Sequence, residues 1–383
     1  LLPPPDEAAG ETRENLLPRV QPLHPFDASL FDPGAPFSCR KEWLRAAGAP
    51  EAEAANAPFV PDAPLPQLQA AATTTLMLEQ LRDFLLDPAR GFLEHGLGLA
   101  LPRQERDDAD DEPLSPGDGL TRWRLTRALL DSGEGNASAG RDILRARGQL
   151  PPGALGDEAL RDARVCADAL RSAVSAFTGG SAPLPIETLR VDWSDGTRLE
   201  GAPAVPYPAG ILHVRPGRID GRYVLRAWLD ALLCAAAGMD KPVMLVGLEG
   251  NDACSFALPQ LAQDEARAQL HALIDLYVQG RRAPLPLFAR TSWEHARICA
   301  KAERKAGAPH PAAAIGPFEK AAQQADGDGA HAGYNEFESE AVCIAWRGRE
   351  LPGPRDGGLA LSLHRTALAV FAHPARAWTE QFK

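Results

Sequence analysis

The residues able to do chemistry are spread thinly along this 383-residue chain. Six cysteines (Cys39, Cys166, Cys234, Cys254, Cys299 and Cys343) stand no nearer to one another than 20 positions, and no Cys-x-x-Cys pair occurs. Zinc or iron–sulfur ligation usually relies on such a pair to place two ligands at once. The spacing therefore predicts small buried hydrophobes, free thiols of a reducing cytoplasm, and neither a metal nor another cofactor. None of the six lysines follows a glycine, so the chain has no Gly-Lys-Ser/Thr phosphate loop and ATP hydrolysis by it is excluded. The acidic run Asp107, Asp108, Asp110, Asp111, Glu112 reads as a solvated loop, because adjacent carboxylates on a flexible segment do not hold a fixed coordination geometry.

Two basic clusters remain. Arg122, Trp123, Arg124 and Arg127 put a basic edge with an aromatic on one helix, a combination that holds single strands of nucleic acid by charge and stacking. Arg297, Lys301, Arg304 and Lys305 share one side of a second helix and suit phosphate or an acidic partner. The plainer reading of each cluster is a solvated helix face, with Trp123 in the core. Lys and Arg total 40 against 51 Asp and Glu, a net charge of −11, which argues against coating nucleic acid through bulk charge. Any DNA contact must come from local patches.

The elements that position these residues follow from hydrophobic period. At 45% hydrophobic the chain buries a real core. Residues 1–72, rich in Pro and Ala with apolar islands at 23–31 and 41–46, read as a strap or linker from a preceding domain. Residues 73–383 read as one body, helical over 73–180 and α/β over 181–383. Leu78, Leu81, Phe84 and Leu85 fall at helical spacing, Pro88 interrupts, and Phe92 and Leu93 resume the apolar face. Helices are predicted over 119–130, 140–147 and 157–177. The period then switches: 188–193 and 197–201, joined by Ser194-Asp195-Gly196, read as a hairpin, with 210–215 as the third strand of a meander. A helix over 221–237, a strand over 242–246 and a helix over 264–278 follow. The last part is read as a basic helix at 293–305, a strand at 341–347 and a helix near 365–371. Trp193 and Trp228 are expected to pack between sheet and helix. No apolar run reaches the roughly 20 residues of a membrane span, and the absence of an initiator Met suggests a piece of a longer chain.

That order of elements resembles the core of the PD-(D/E)XK nuclease fold, a small mixed sheet flanked by helices. Such nucleases need two acids on neighbouring strands for Mg²⁺, and a lysine two positions beyond the second acid. The related recombination nucleases spell these motifs Gly-Arg-Ile-Asp and Asp-Tyr-Lys-Thr-Gly. The matching stretches here are Gly201-Ala202-Pro203-Ala204 and His213-Val214-Arg215-Pro216-Gly217, so Ala204, His213 and Arg215 replace the two acids and the lysine. Ala204 offers no oxygen, His213 supplies a nitrogen better suited to Zn²⁺ than to Mg²⁺, and Arg215 is a planar cation that resists deprotonation. Glu200 and Asp220 are the acids from which a migrated site would have to be built, yet on a continuous strand Glu200 lies roughly 13 Å from position 204.

With its flanks, this pattern resembles the C-terminal part of RecC proteins, the gamma subunits of exodeoxyribonuclease V, the RecBCD helicase–nuclease. The resemblance rests on Gln21-Pro22-Leu23-His24-Pro25-Phe26, residues 81–88 with Phe92, Leu97-Gly98-Leu99, and Asp111-Glu112-Pro113-Leu114 before Gly119-Leu120. It continues through Leu150-Pro151-Pro152-Gly153-Ala154-Leu155-Gly156, Gly210-Ile211-Leu212, Arg215-Pro216, Trp228-Leu229 with Leu232, and Ala283-Pro284-Leu285-Pro286-Leu287. Residues 306–333 match nothing. The resemblance implies a cytoplasmic, non-catalytic subunit in a heterotrimer with RecB and RecD, ending in a nuclease-like domain that has lost its metal site. Its implied role is to scaffold the complex and guide double- and single-stranded DNA in double-strand-break repair by homologous recombination. Recognition of Chi belongs mainly to upstream domains in that family. Two alternatives stand beside it: an active Mg²⁺-dependent nuclease with a migrated site, and a pure protein-interaction domain.

Overall fold

The short strand Thr197–Gly201 ends where Pro203, which has no N–H to donate, interrupts the ladder, and this break divides the β-structure into two small sheets. The computed structural model describes residues 24, 27–31, 58–60, 64–66, 74–101, 119–131, 137–146, 148, 150–307, 336–349 and 357–382. The chain forms two units, 1–57 and 58–383. In the first, the described residues are His24 and the stretch from Asp27 through a 3-10 turn, Ala28–Phe31. Leu23, Phe26, the acidic run at 107–112 and nearly all of the 306–333 segment lie outside the described residues.

In the second unit, strand β1 (Thr74–Met77) runs directly into helix α1 (Leu78–Leu86). A short helix α2 (Pro88–Gly91) and a π-helical turn over Phe92–Gly96 follow. Pro88 starts α2 at a position where a missing N–H costs nothing, and the Asp87 side chain accepts from the Arg90 amide. Helices α3 (Gly119–Asp131), α4 (Ala137–Ala146) and α5 (Gly153–Thr178) come next. They share a core of Leu125, Leu129, Leu144, Leu160 and Ala163.

Strands β2 (Leu189–Asp192) and β3 (Thr197–Gly201) form the expected hairpin, with Val191 opposite Leu199. Gly196 supplies the positive φ of 87° that the turn needs, and Asp195 accepts from the Thr197 amide at 2.9 Å. The expected meander is corrected. The other neighbour of β3 is β1, paired in parallel, and the order is β1-β3-β2. A four-residue strand that flows into a helix carries no alternating pattern long enough to reveal itself. Because β3 stops at Gly201 and Ala204 lies in a bend, Glu200 and Ala204 do not share one strand.

The third expected strand, β5 (Gly210–Val214), belongs to a second sheet of order β4-β5-β6-β7. Its companions are β4 (Val205–Tyr207), β6 (Val243–Glu249) and β7 (Asp252–Ala257). Helix α6 (Gly221–Ala236) is the crossover between the parallel pair β5 and β6. This sheet is covered on both faces. Ile211, Val243, Leu245 and Phe256 join the main core with α6 and α7 (Gln263–Gly280). Leu212, Val246 and Leu248 face the other way, onto Cys166 and Leu170 of α5. Leu245 and Val246 are both fully buried, as expected of a central strand with helices on each side; each such side chain contributes about 1.5–3 kcal/mol.

Helix α8 (Ala289–Ala306) packs closely on α6: a Cβ on Gly221 would lie 2.0 Å from the Ala289 carbonyl oxygen, so the approach requires glycine. The expected strand at 341–347 is instead helix α9 (Glu340–Ala345), where Ala341, Val342 and Ala345 are buried at helical spacing and Ser339 caps the first turn. Its apolar run is too short for period alone to choose between strand and helix. Helix α10 (Gly357–Gln381) closes the core along α8, with Phe371 beside the Trp293 ring. Val60, from the Pro- and Ala-rich stretch, is buried with Phe92 and Trp346, and its carbonyl accepts from Arg349 at 3.0 Å. Among the described residues no helix is long and apolar enough to cross a membrane.

Candidate functional site

At the junction of α1, α6 and β5 sits Asp230, a carboxylate with no solvent exposure. It occupies a core position of α6 among Ala227, Leu229, Leu233 and Cys234, all buried. An unpartnered charge there would cost several kcal/mol, and three groups from distant parts of the chain meet it. Arg82 of α1 donates from Nη2 to Oδ1 at 2.6 Å. The Ala204 amide donates to Oδ2 at 2.7 Å. His213 Nε2 lies 3.0 Å from the same oxygen.

Ala204 and His213, two of the three residues the sequence aligns with nuclease positions, thus both approach a single oxygen atom, the first by a hydrogen bond and the second by proximity. Alternation along β5 puts His213 on the same face as Ile211, toward α6. Arg215, two residues further, turns to a different group. Its Nε donates to the Arg218 carbonyl at 2.6 Å, its guanidinium lies 3.7 Å over the Tyr223 ring, and Nη2 is 3.6 Å from Asp220. Burial pulls its pKa below the ordinary arginine value, while Asp220 and Tyr223 act the other way. Asp220 is itself the cap of α6, accepting from the Arg222 amide at 3.0 Å and lying 3.5 Å from Arg290. Glu200 is half-buried in the middle strand of the other sheet. A hard divalent cation requires carboxylate oxygens not already neutralised; those of Asp230 and Asp220 are engaged by arginines and backbone amides.

The basic clusters divide. Arg122 donates to Asn251 in the β6–β7 turn at 3.3 Å, Trp123 is partly buried, and a Cβ on Gly217 would touch its ring at 3.4 Å. Arg124 is half-exposed, and Arg127 pairs with Asp131 one turn on at 3.0 Å. On α8, Arg297 is held by both oxygens of Glu294 at 2.9 and 2.8 Å and lies 5.2 Å over Trp378. Burial pushes the Glu294 carboxyl up, against Arg297 and Arg218. Arg304, though exposed, donates to the Thr379 carbonyl at 2.7 Å; Lys301 and Lys305 are exposed as well.

Cysteine spacing missed one further group. Among the described residues, His295, Cys299 and His364 are the set of three ligand-type side chains close enough to share an ion, their ligating atoms within 4.8 Å of one another. They lie between α8 and α10. Burial holds His295 down at about 4, with His364 adding to the effect, and lowers His364 too. It pushes the Cys299 thiol up to about 12.

Fold and site together define a mixed α/β domain, small sheets flanked by helices, with a fully buried carboxylate paired to an arginine in its interior. The chain belongs to the RecC C-terminal domain family, whose model matches residues 73–300. It is 32% identical over 303 residues to the RecBCD enzyme subunit RecC of Mycolicibacterium smegmatis, covering 75% of this chain and 27% of that protein. It is 27% identical over 314 residues to RecC of Escherichia coli, covering 79% and 26%. With RecC of Mycobacterium tuberculosis the figures are 28% over 307 residues, 76% and 27%. The chain thus spans about a quarter of the length of the curated relatives it matches.

Proposed function

We propose that this chain is the non-catalytic, nuclease-like C-terminal part of a RecC-type subunit. In this reading it scaffolds a cytoplasmic complex with RecB- and RecD-type partners, and helps guide DNA strands during double-strand-break repair. Residues 73–383 act as the inactive nuclease-like body and residues 1–72 as the strap from a preceding domain. The observation that carries the proposal is the Asp230 cluster: where a PD-(D/E)XK nuclease would gather acids around Mg²⁺, Ala204 and His213 converge on a carboxylate already paired with Arg82. A neutralised carboxylate is a poor hard-cation ligand but a strong structural tie between helix and sheet.

The test is nuclease activity and assembly together. Metal-free protein supplied with Mg²⁺ should leave labelled duplex and single-stranded DNA intact, and the chain should co-purify with RecB and RecD. Cleavage that disappears in a Glu200→Ala variant would overturn the reading in favour of a migrated site. The net charge of −11 favours a purely protein-binding role as the second reading. That reading predicts that crosslinks to forked DNA in the assembled complex avoid this chain altogether.

A further inference from the structure

We propose that His295, Cys299 and His364 form a binding site for one thiophilic divalent ion of the zinc class, clamped between α8 and α10. His295 and Cys299 are four residues apart, one above the other on the same face of α8, and His364 comes from α10 to meet them. His295 Nε2 and His364 Nδ1 are 3.1 Å apart, with ring planes at 85°. An ion bound tetrahedrally at about 2.0–2.1 Å from nitrogen and about 2.3 Å from sulfur holds two nitrogens roughly 3.3 Å apart and nitrogen and sulfur roughly 3.6 Å apart. The imidazole pair therefore already stands within a few tenths of an ångström of the spacing such an ion imposes. The thiol lies within 4.8 Å of both nitrogens and needs to close by about 1 Å, within reach of a side-chain rotation.

The donor set chooses the ion. Two imidazoles and one thiolate suit Zn²⁺ and its relatives and disfavour Mg²⁺ and Ca²⁺, which require oxygen. Burial of His295 and Cys299 at 5% and 2% exposure keeps competing water away, while His364 is partly exposed and gives the ion a way in. Glu303, one turn beyond Cys299, is committed to Arg376 at 3.0 Å, so three protein ligands leave a fourth position open. Charge balances simply: the incoming ion displaces one proton, from the Cys299 thiol, to solvent. The hydrogen-bonded imidazole keeps its proton by carrying it on the other ring nitrogen. Such an ion would staple His364, which lies beyond residues 73–300, to His295 and Cys299, which lie within them.

The test uses the tag-free full chain, stripped of metal and titrated with Co²⁺ and then Zn²⁺. The expected result is a thiolate-to-cobalt charge-transfer band and intense visible bands of a tetrahedral site, saturating at one equivalent. Zn²⁺ should abolish these bands and raise the melting temperature. Cys299→Ser should remove the charge-transfer band, and His364→Gln should weaken Co²⁺ binding by more than about tenfold. Cys343→Ser, at the exposed thiol, should change neither. If the wild-type chain shows no such bands and no Zn²⁺-dependent melting shift, or if the band survives in Cys299→Ser, the proposal fails. Should Cys299→Ser not fold, the wild-type spectrum and His364→Gln decide.

Discussion

Arg82 and Asp230 meet at 2.6 Å although they are 148 residues apart, one on the first helix of the body and the other inside the core helix that follows β5. The Asp230 side chain has no solvent exposure and Arg82 retains 19%, so removing either partner strands a charge in a poorly solvated place. Asp230→Ala should destabilise the chain by about 3–5 kcal/mol. The double variant Arg82→Met/Asp230→Leu should recover part of the loss, because no uncompensated charge remains, although the Ala204 amide is still unpaired. Urea unfolding of the three proteins measures both effects. A single variant within 1 kcal/mol of wild type, an approximate threshold for a lost ordinary hydrogen bond, would show the cluster to be energetically idle.

Helix α8 takes its cap from a residue 45 positions downstream. Glu336 accepts from the Arg290 and Thr291 amides at 2.9 Å each and from the Thr291 hydroxyl at 3.0 Å. Glu336→Ala should cost about 0.5–2 kcal/mol, the usual price of a lost N-cap. Glu336→Gln, which keeps an acceptor oxygen, should cost less. Amide hydrogen exchange should locate the loss in the first turn of α8.

His271 and Asp195 form a pH-bounded pair at the rim of the hairpin, 2.9 Å apart, with Asp275 also 3.4 Å from the ring and Trp193 packed against its edge. Hydrogen bonding to Asp195 raises the His271 pKa, and the same bond holds the Asp195 carboxyl down at about 2. For the raised histidine, stability is fully present below its unfolded value and is lost as pH rises through its folded value. For the depressed aspartate, stability is present above the unfolded carboxylate value and is lost as pH falls toward about 2. The melting temperature of wild type minus that of His271→Ala should therefore be greatest near about pH 5 and shrink toward about pH 9. A difference that stays flat with pH would exclude the pair as its source.

The basic stripe on α8 should separate into two behaviours. Arg297→Ala should lower stability by about 1.5–3 kcal/mol, because it leaves Glu294, 7% exposed, without its two-oxygen partner. Lys301→Glu with Lys305→Glu, both at exposed positions, should leave the melting temperature unchanged. The same double variant should reduce whatever salt-sensitive DNA binding a low-salt titration detects. Tight binding that the lysine variant does not touch would locate the DNA contact elsewhere.

What the sequence determined by itself was local. The helices at 78–86, 119–131, 153–178, 221–236 and 263–280 were legible because each carries several turns of apolar spacing. The hairpin at Asp195-Gly196 was legible because turn chemistry sits in adjacent residues. Tertiary structure alone decided how the strands divide between two sheets, since β1, too short to show a pattern, pairs with β3 across more than a hundred residues. It also brought Arg82 to Asp230. The hint available beforehand was an aspartate set among the apolar residues of α6, a position whose burial demands a partner without naming one. The His295, Cys299 and His364 group has the same cause. Its i, i+4 half is written on one helix, but His364 enters from 69 residues away, and only the packing of α10 on α8 makes three scattered side chains into one site.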